Sequence, residues 1–194
     1  MKLRLVAAVV VLALSSIAAH AQAAVYFTAP IYDHISNSKA DTGPFAFLGS
    51  GKTAANFWGV GFGGYYEVPV SGKLSAGVDL HDNIVHGNNA GLNTFMFGVR
   101  VSGKPFARPI KPYVEVGVGA GTSRAPTGSL KVTKAQFGAM VGADYPIGKH
   151  VDWRVLEIGW NSLTTVSSET IGGTASIPSS TIISASSGLV FRFK

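Results

Sequence analysis

Four acids and two arginines stand alone inside segments that are otherwise apolar or rich in glycine: Glu67, Glu115, Asp144 and Glu157 with Arg100 and Arg192. Isolated charges in such surroundings suit an interior network of ion pairs, because a charge taken out of water without a partner costs on the order of several kcal/mol. Two other groupings invite different chemistry. The stretch Ala46-Phe47-Leu48-Gly49-Ser50-Gly51-Lys52-Thr53 fits the loose form of a nucleotide-binding loop. In such a loop backbone N–H groups cradle phosphates, a lysine neutralises them and a hydroxyl holds Mg²⁺. His81, Asp82 and His86 lie close enough together to suggest metal ligands or a catalytic pair.

Which of these chemistries can operate depends on the elements that carry the residues. From Val25 onward apolar side chains recur at every second position, the period of a β-strand. Val25, Phe27 and Ala29 share one side of a first segment. Trp58, Val60, Phe62, Tyr66 and Val68 then alternate with Phe57, Gly59, Gly61, Gly63, Tyr65 and Glu67. Leu74, Ala76, Val78 and Leu80 alternate with Ser75, Gly77, Asp79 and His81, and Phe95, Phe97, Val99 and Val101 with Thr94, Met96, Gly98 and Arg100. Val114, Val116, Val118 and Ala120 stand against Tyr113, Glu115, Gly117 and Gly119. Phe137, Ala139, Val141, Ala143 and Tyr145 stand against Gln136, Gly138, Met140, Gly142 and Asp144. Leu156, Ile158 and Trp160 oppose Val155, Glu157, Gly159 and Asn161; finally Ile183, Ala185, Leu189, Phe191 and Phe193 oppose Ser184, Ser186, Gly188 and Arg192. The pattern predicts eight strands of about the 9–11 residues that a tilted membrane strand needs. No segment has helical spacing.

The N-terminus supplies the compartment. Lys2 and Arg4 precede the short apolar run Leu5–Ala19, and small-residue cleavage patterns follow at Ala19-His20-Ala21 and Ala21-Gln22-Ala23. Those are the three parts of a secretory signal peptide, so residues 1–23 are expected to be removed and residues 24–194 to form one domain. Without Lys2 and Arg4 the formal charge falls from +6 to +4. The remaining basic residues are spread along the chain, with a loose group at Lys104, Arg108 and Lys111, so the concentrated stripe needed for nucleic acid is missing. There is no cysteine, hence neither disulfide nor thiolate metal site. Charged residues make up 13% of the chain, about half the ~25% of a soluble domain. That composition points to lipid, and without a long apolar run the structure that can span lipid is a closed barrel.

The less apolar face fixes which side is inside. A soluble barrel would cover that face with lysine, glutamate and threonine; here it is mostly glycine, serine and alanine with about one charge per strand. Small residues and single charges suit a crowded lumen, and the aromatic and branched residues suit a lipid-facing wall. Connection lengths favour an external first and seventh loop and tight periplasmic second and sixth turns, with the proline-rich fourth connection as an exception.

On the signal peptide, on Gly59–Val68, Ala76–Asp82, Phe97–Val101, Lys111–Gly121, Gly142–Trp160 and the ending Ser187–Phe193, the chain resembles the small eight-stranded outer-membrane barrels of the OmpA-barrel, OmpX and opacity-protein kind. The resemblance implies an all-β, eight-stranded antiparallel up-and-down transmembrane barrel in the cell outer membrane. It also implies an aromatic C-terminal signal for the barrel-assembly machinery. Leu189, Phe191 and Phe193 keep its spacing, displaced one residue by Lys194. Implied partners are that machinery, outer-membrane lipids and lipopolysaccharide, with no nucleic acid and a monomeric state. Some barrels of this size modify lipids through a histidine with a serine or carboxylate, which draws notice to His81 with Ser184 or Ser186.

Set on these strands, the candidate chemistries separate. A working nucleotide loop follows a buried strand and opens a helix, whereas Ala54–Val68 is strand in pattern and lies after an export signal. Gly49, Ser50 and Gly51 are therefore expected to turn the first external loop, leaving Lys52 at the outer surface. His81 and His86 differ in parity and have no third ligand nearby in sequence, so no metal site, cofactor or catalytic residue is expected. Glu67, Arg100, Glu115, Asp144, Glu157 and Arg192 all face inward near the periplasmic end, with Arg100–Glu115 the first expected ion pair. The expected protein is a non-enzymatic outer-membrane barrel with a structural or surface-interaction role and a lumen plugged by charge. A narrow porin-like channel is the alternative, followed by a lipid-modifying enzyme. Tyr65, Tyr113, Trp58, Tyr66, Tyr145, Trp153 and Trp160 are expected in interface girdles.

Overall fold

The computed structural model describes residues 21–40, 42, 46–103, 109–126, 131–164 and 179–193. The residues 1–20 of the expected signal peptide, Lys104, Arg108, most of the seventh connection and Lys194 lie outside the described residues. Eight strands follow one another: β1 (Gln22–Asn37), β2 (Ala54–Ser71), β3 (Leu74–Gly87), β4 (Ala90–Gly103), β5 (Lys111–Arg124), β6 (Lys131–Pro146), β7 (Val151–Thr164) and β8 (Ser180–Phe193). Each pairs antiparallel with the next, and β8 closes on β1. Closure pairs the backbone of every strand on both sides, which a spanning structure requires where no water can serve.

Alternation sorts the side chains as the sequence implies. Val116 and Val118 are 61% and 62% exposed on the outer wall, while the two largest fully buried side chains are Arg100 and Arg154. The barrel is apolar outside and polar inside. Glycines make the interior roomy enough for large polar groups. A Cβ on Gly142 would fall on the Tyr113 ring, and one on Gly98 would fall on the Glu115 carboxylate. On neighbouring strands of the wall, Gly98, Gly117 and Gly138 are direct partners on β4, β5 and β6.

The strands run to 14 residues in β3 and 18 in β2, longer than the pattern suggested. At about 3.3 Å per residue and a tilt near 45°, fourteen residues rise about 33 Å, more than the ~25 Å apolar band. The third connection, between β3 and β4, is short. It is a two-residue turn whose Asn88 and Asn89 take φ of 51° and 64°. Both values are left-handed, as a hairpin turn of the primed type demands, and asparagine tolerates them.

Two irregularities re-aim side chains. The register shifts in β1 between Thr28 and Ile31, and in β7 between Arg154 and Glu157. In β7 Val155 and Leu156 both face outward, at 37% and 46% exposure. Val155 therefore does not line the lumen as strict alternation suggested. One extra residue changes the parity below it, and Arg154 and Asp152 turn inward instead of facing lipid. An arginine facing lipid costs roughly 2–4 kcal/mol at the midplane and less toward the interface, and the bulge avoids that cost for Arg154.

At the end carrying the longer loops the lumen closes on an apolar cluster. Ile31, Ile35, Ala55, Phe57, Val85, Leu92, Leu163 and Ile182 line it, and Phe47 and Leu48 of the first connection fill it. The Phe47 and Phe57 rings sit 5.4 Å apart. Ala46–Leu48 is thus a cork in the barrel mouth. Turns follow it directly, with Gly49 and Gly51 at φ of 100° and 75° and the Lys52 N–H donating to the Gly49 carbonyl.

Candidate functional site in the barrel lumen

The inward faces of β2, β4, β6 and β7 deliver a belt of ion pairs toward the end where β1 begins and β8 ends. Arg100 on β4 donates from Nε to Glu67 Oε1 at 2.8 Å and from Nη2 to Asp144 Oδ2 at 3.0 Å. Arg154 on β7 donates from Nε to Asp144 Oδ1 at 3.1 Å and from Nη1 to Glu157 Oε2 at 3.0 Å. Ser102 donates to Glu67, and Tyr113 and Ser186 donate to Glu157. Nearer the terminal end, Asp152 is held by Lys111 at 2.8 Å and by Arg192 at 2.9 Å.

Aromatic rings lock the two guanidinium groups in place. Arg100 lies 4.3 Å from the Tyr65 ring centre and 3.5 Å from that of Tyr113, while Arg154 lies 4.2 Å from Tyr26 and 4.9 Å from Tyr113. Cation–π contacts of this kind strengthen as water is excluded. Tyr65 and Tyr113 are 5% and 3% exposed, so they belong to this stack and not to an interface girdle. Their parity places them inward. Trp58, Tyr66, Tyr145, Trp153 and Trp160 stand on the outer wall.

The six lumenal charges read from the sequence all point into the barrel, but not in the pairs first expected. Arg100 and Glu115 are direct cross-strand partners on β4 and β5, yet Arg100 reaches away to Glu67 and Asp144. Glu115 turns to His81, whose Nδ1 lies 3.6 Å away. Cross-strand neighbours in a barrel lean along the tilt, so partners are chosen by reach across the lumen and not by adjacency. Asp144 and Glu157 are joined through Arg154.

Arg154, Asp152, Lys111 and Asp79 were not singled out in the sequence. The bulge hides the first two, because uninterrupted alternation assigns them to the lipid face. Lys111 opens its strand next to a proline-rich connection. Asp79 shares the lumenal face with His81, and that parity is the signal that could have found it.

The other candidates disperse. His81 is buried on the lumenal face while His86 is exposed on the outer wall, and Asp82 faces away from the lumen. Ser186 donates to Glu157, and His81 contacts Asp79 and Glu115. Leu189, Phe191 and Phe193 are 40%, 40% and 54% exposed along one face of β8. A cavity of about 270 Å³ opens at the same end as the belt, lined by Glu67, Arg100, Ser102, Lys111, Asp144 and Arg192.

A family model for the outer membrane protein beta-barrel domain matches residues 5–186. No curated protein matches the chain. Among solved structures, the chain is similar to Neisserial surface protein A at 14% identity, with 90% of this chain and 97% of that one covered and a TM-score of 0.53. It is also similar to Ail, the attachment invasion locus protein of Yersinia pestis, at 8% identity, with 90% and 99% covered and a TM-score of 0.55. A second Ail structure, in complex with the heparin analogue sucrose octasulfate, gives 8% identity, 90% and 99% coverage and a TM-score of 0.53. At these identities the likeness is one of fold.

Proposed function

The chain belongs to the outer membrane protein beta-barrel domain family and resides in the outer membrane, and from that premise we propose a closed, non-enzymatic barrel that works as a structural and surface-interaction protein. One observation carries the closed reading: the lumen is filled at two separate levels. The belt fills one, with Arg100 and Arg154 at 2% and 1% exposure. The cork fills the other, with Ile35, Leu48 and Phe57 at 0%. An eight-stranded barrel has an interior just wide enough for side chains to fill. Planar-bilayer recording of the refolded barrel tests this: silence is expected, and stepwise openings of regular size would overturn it in favour of the narrow channel.

The interaction surface lies on the outer wall at the loop end. There Arg124 and Lys131 are direct partners on β5 and β6. With His86, Asn93 and Thr122 they line a hollow of about 420 Å³ above the apolar band. Cations at that height meet the phosphates of lipopolysaccharide, and exposed Lys52 adds to them from the first loop. Ail is known with a sulfated sugar; for this chain the polyanion reading rests on its own cations. Reversing Arg124 and Lys131 to glutamate should weaken retention of lipopolysaccharide on the detergent-solubilised barrel, and unchanged retention would remove this surface. Leu189, Phe191 and Phe193 on β8 supply the aromatic edge for the assembly machinery.

A further inference from the structure

Asp79, His81 and Glu115 form a group that the arginine belt leaves aside. Glu67, Asp144, Asp152 and Glu157 each contact an arginine or lysine. Among the described residues the ion-pair contacts of Asp79 and Glu115 are with His81 alone, at 3.1 Å and 3.6 Å from its Nδ1. Lys134, another buried cation, lies four residues further toward the loop end from Gly138 on β6. The interior level of the belt therefore carries two more carboxylates than arginines and lysines, and both excess charges meet at one imidazole. A charge in such a place must be matched.

Two atoms there are also unsatisfied. Asp79 Oδ2 and Glu115 Oε1 are buried without a hydrogen-bond partner among the described residues, on side chains whose residues are 0% and 2% exposed. One ligand atom from each of the three residues falls within 4.8 Å of the others. A tetrahedral ion with bonds of about 2.0–2.1 Å sets its ligands about 3.3 Å apart; His81 Nδ1 stands 3.6 Å from the unpartnered Glu115 Oε1 and 3.1 Å from Asp79 Oδ1, the oxygen beside the unpartnered Oδ2. Tyr26 donates to Asp79 Oδ1 at 2.6 Å, the kind of outer contact that holds a metal-ligating carboxylate in orientation. Gly98 leaves the space that the Glu115 carboxylate enters.

We propose that Asp79, His81 and Glu115 bind a divalent transition-metal ion of the zinc type inside the barrel, as a structural centre that joins β3 to β5. A proton on His81 supplies one positive charge, whereas a divalent ion supplies two and matches both carboxylates. Imidazole with carboxylates is a donor set that suits such ions. The sequence around His81 holds no third ligand; the barrel brings Glu115 from another strand. The site is enclosed, so loading accompanies folding.

The test is to refold the barrel with Zn²⁺ present, desalt it, and measure zinc per chain by atomic emission. Folded protein is scored by heat-modifiable gel mobility. About one zinc per folded chain is expected. Because losing an outer-contact residue already lowers metal affinity by roughly 10–100-fold, the ligand variants His81→Ala and Glu115→Gln should lose at least that much and leave the column without zinc. The surface variants His86→Ala and His150→Ala should keep it. A folded wild-type barrel lacking zinc would mean that a proton alone occupies the site and would overturn the proposal. So would His81→Ala and Glu115→Gln barrels that retain zinc at the wild-type level. If His81→Ala fails to fold, the near-isosteric Glu115→Gln and Asp79→Asn variants carry the same comparison.

Discussion

Arg100 and Arg154 share one carboxylate: the Arg100 Nη2 holds Asp144 Oδ2 at 3.0 Å and the Arg154 Nε holds Asp144 Oδ1 at 3.1 Å. The two arginines come from β4 and β7, so Asp144 ties walls of the barrel that share no backbone ladder. Replacing Asp144 by asparagine leaves two buried guanidinium groups short of a counter-charge. Removing one partner of a buried pair costs about 3–5 kcal/mol, and urea unfolding in lipid vesicles should read a loss of that size. A loss below about 1 kcal/mol would mean that water reaches the belt.

The bulge in β7 makes a positional prediction. The chain has no cysteine, so single cysteines can be introduced and labelled along the strand. Labels at 155 and 156 should both be quenched by a lipid-resident quencher, and labels at 154 and 157 should not. Uninterrupted alternation from 151 to 164 would refute the bulge.

The orientation of the wall is open to a single substitution. Val116 is 61% exposed on the lipid side, and Val116→Arg should cost roughly 2–4 kcal/mol near the midplane. A near-neutral result would place that residue away from the apolar band.

The cork should be separable from the belt. Leu48 is fully buried among Phe57 and its neighbours, and Leu48→Ala should cost about 2–5 kcal/mol by the usual range for a buried leucine. The first loop should then be cut faster by external protease, while the belt variants leave its cutting rate unchanged. Equal protease resistance in Leu48→Ala would show that the loop is held by something else.

Gly142 tests the packing around the guanidinium stack. A methyl there overlaps Tyr113, and overpacking of this kind costs roughly 1–3 kcal/mol. Gly142→Ala should lower stability by that amount, and adding Tyr113→Phe should not restore it in full, because the added methyl meets the ring carbon Cζ as closely as the hydroxyl oxygen.

Much of this molecule follows from sequence because a barrel wall is governed by a local rule. Side chains alternate at every second residue, so Phe95, Phe97 and Val99 on one side and Met96, Gly98 and Arg100 on the other need no knowledge of distant contacts. The same rule assigned Glu67, Glu115, Asp144 and Arg192 to the lumen. It failed wherever one residue is added or the chain leaves the wall. The bulge at Val155 and Leu156 brought Arg154 inside, and the stretch Ala46–Leu48, which looked like part of a phosphate loop, folded back as an apolar cork. Pairing failed for a different reason. Alternation says which way Arg100 and Glu115 point, but their partners are set by tilt, by the space that glycines leave, and by reach across the lumen. These depend on all eight strands closing together, so sequence determined the wall and its two faces, and only the closed barrel decided which charges meet.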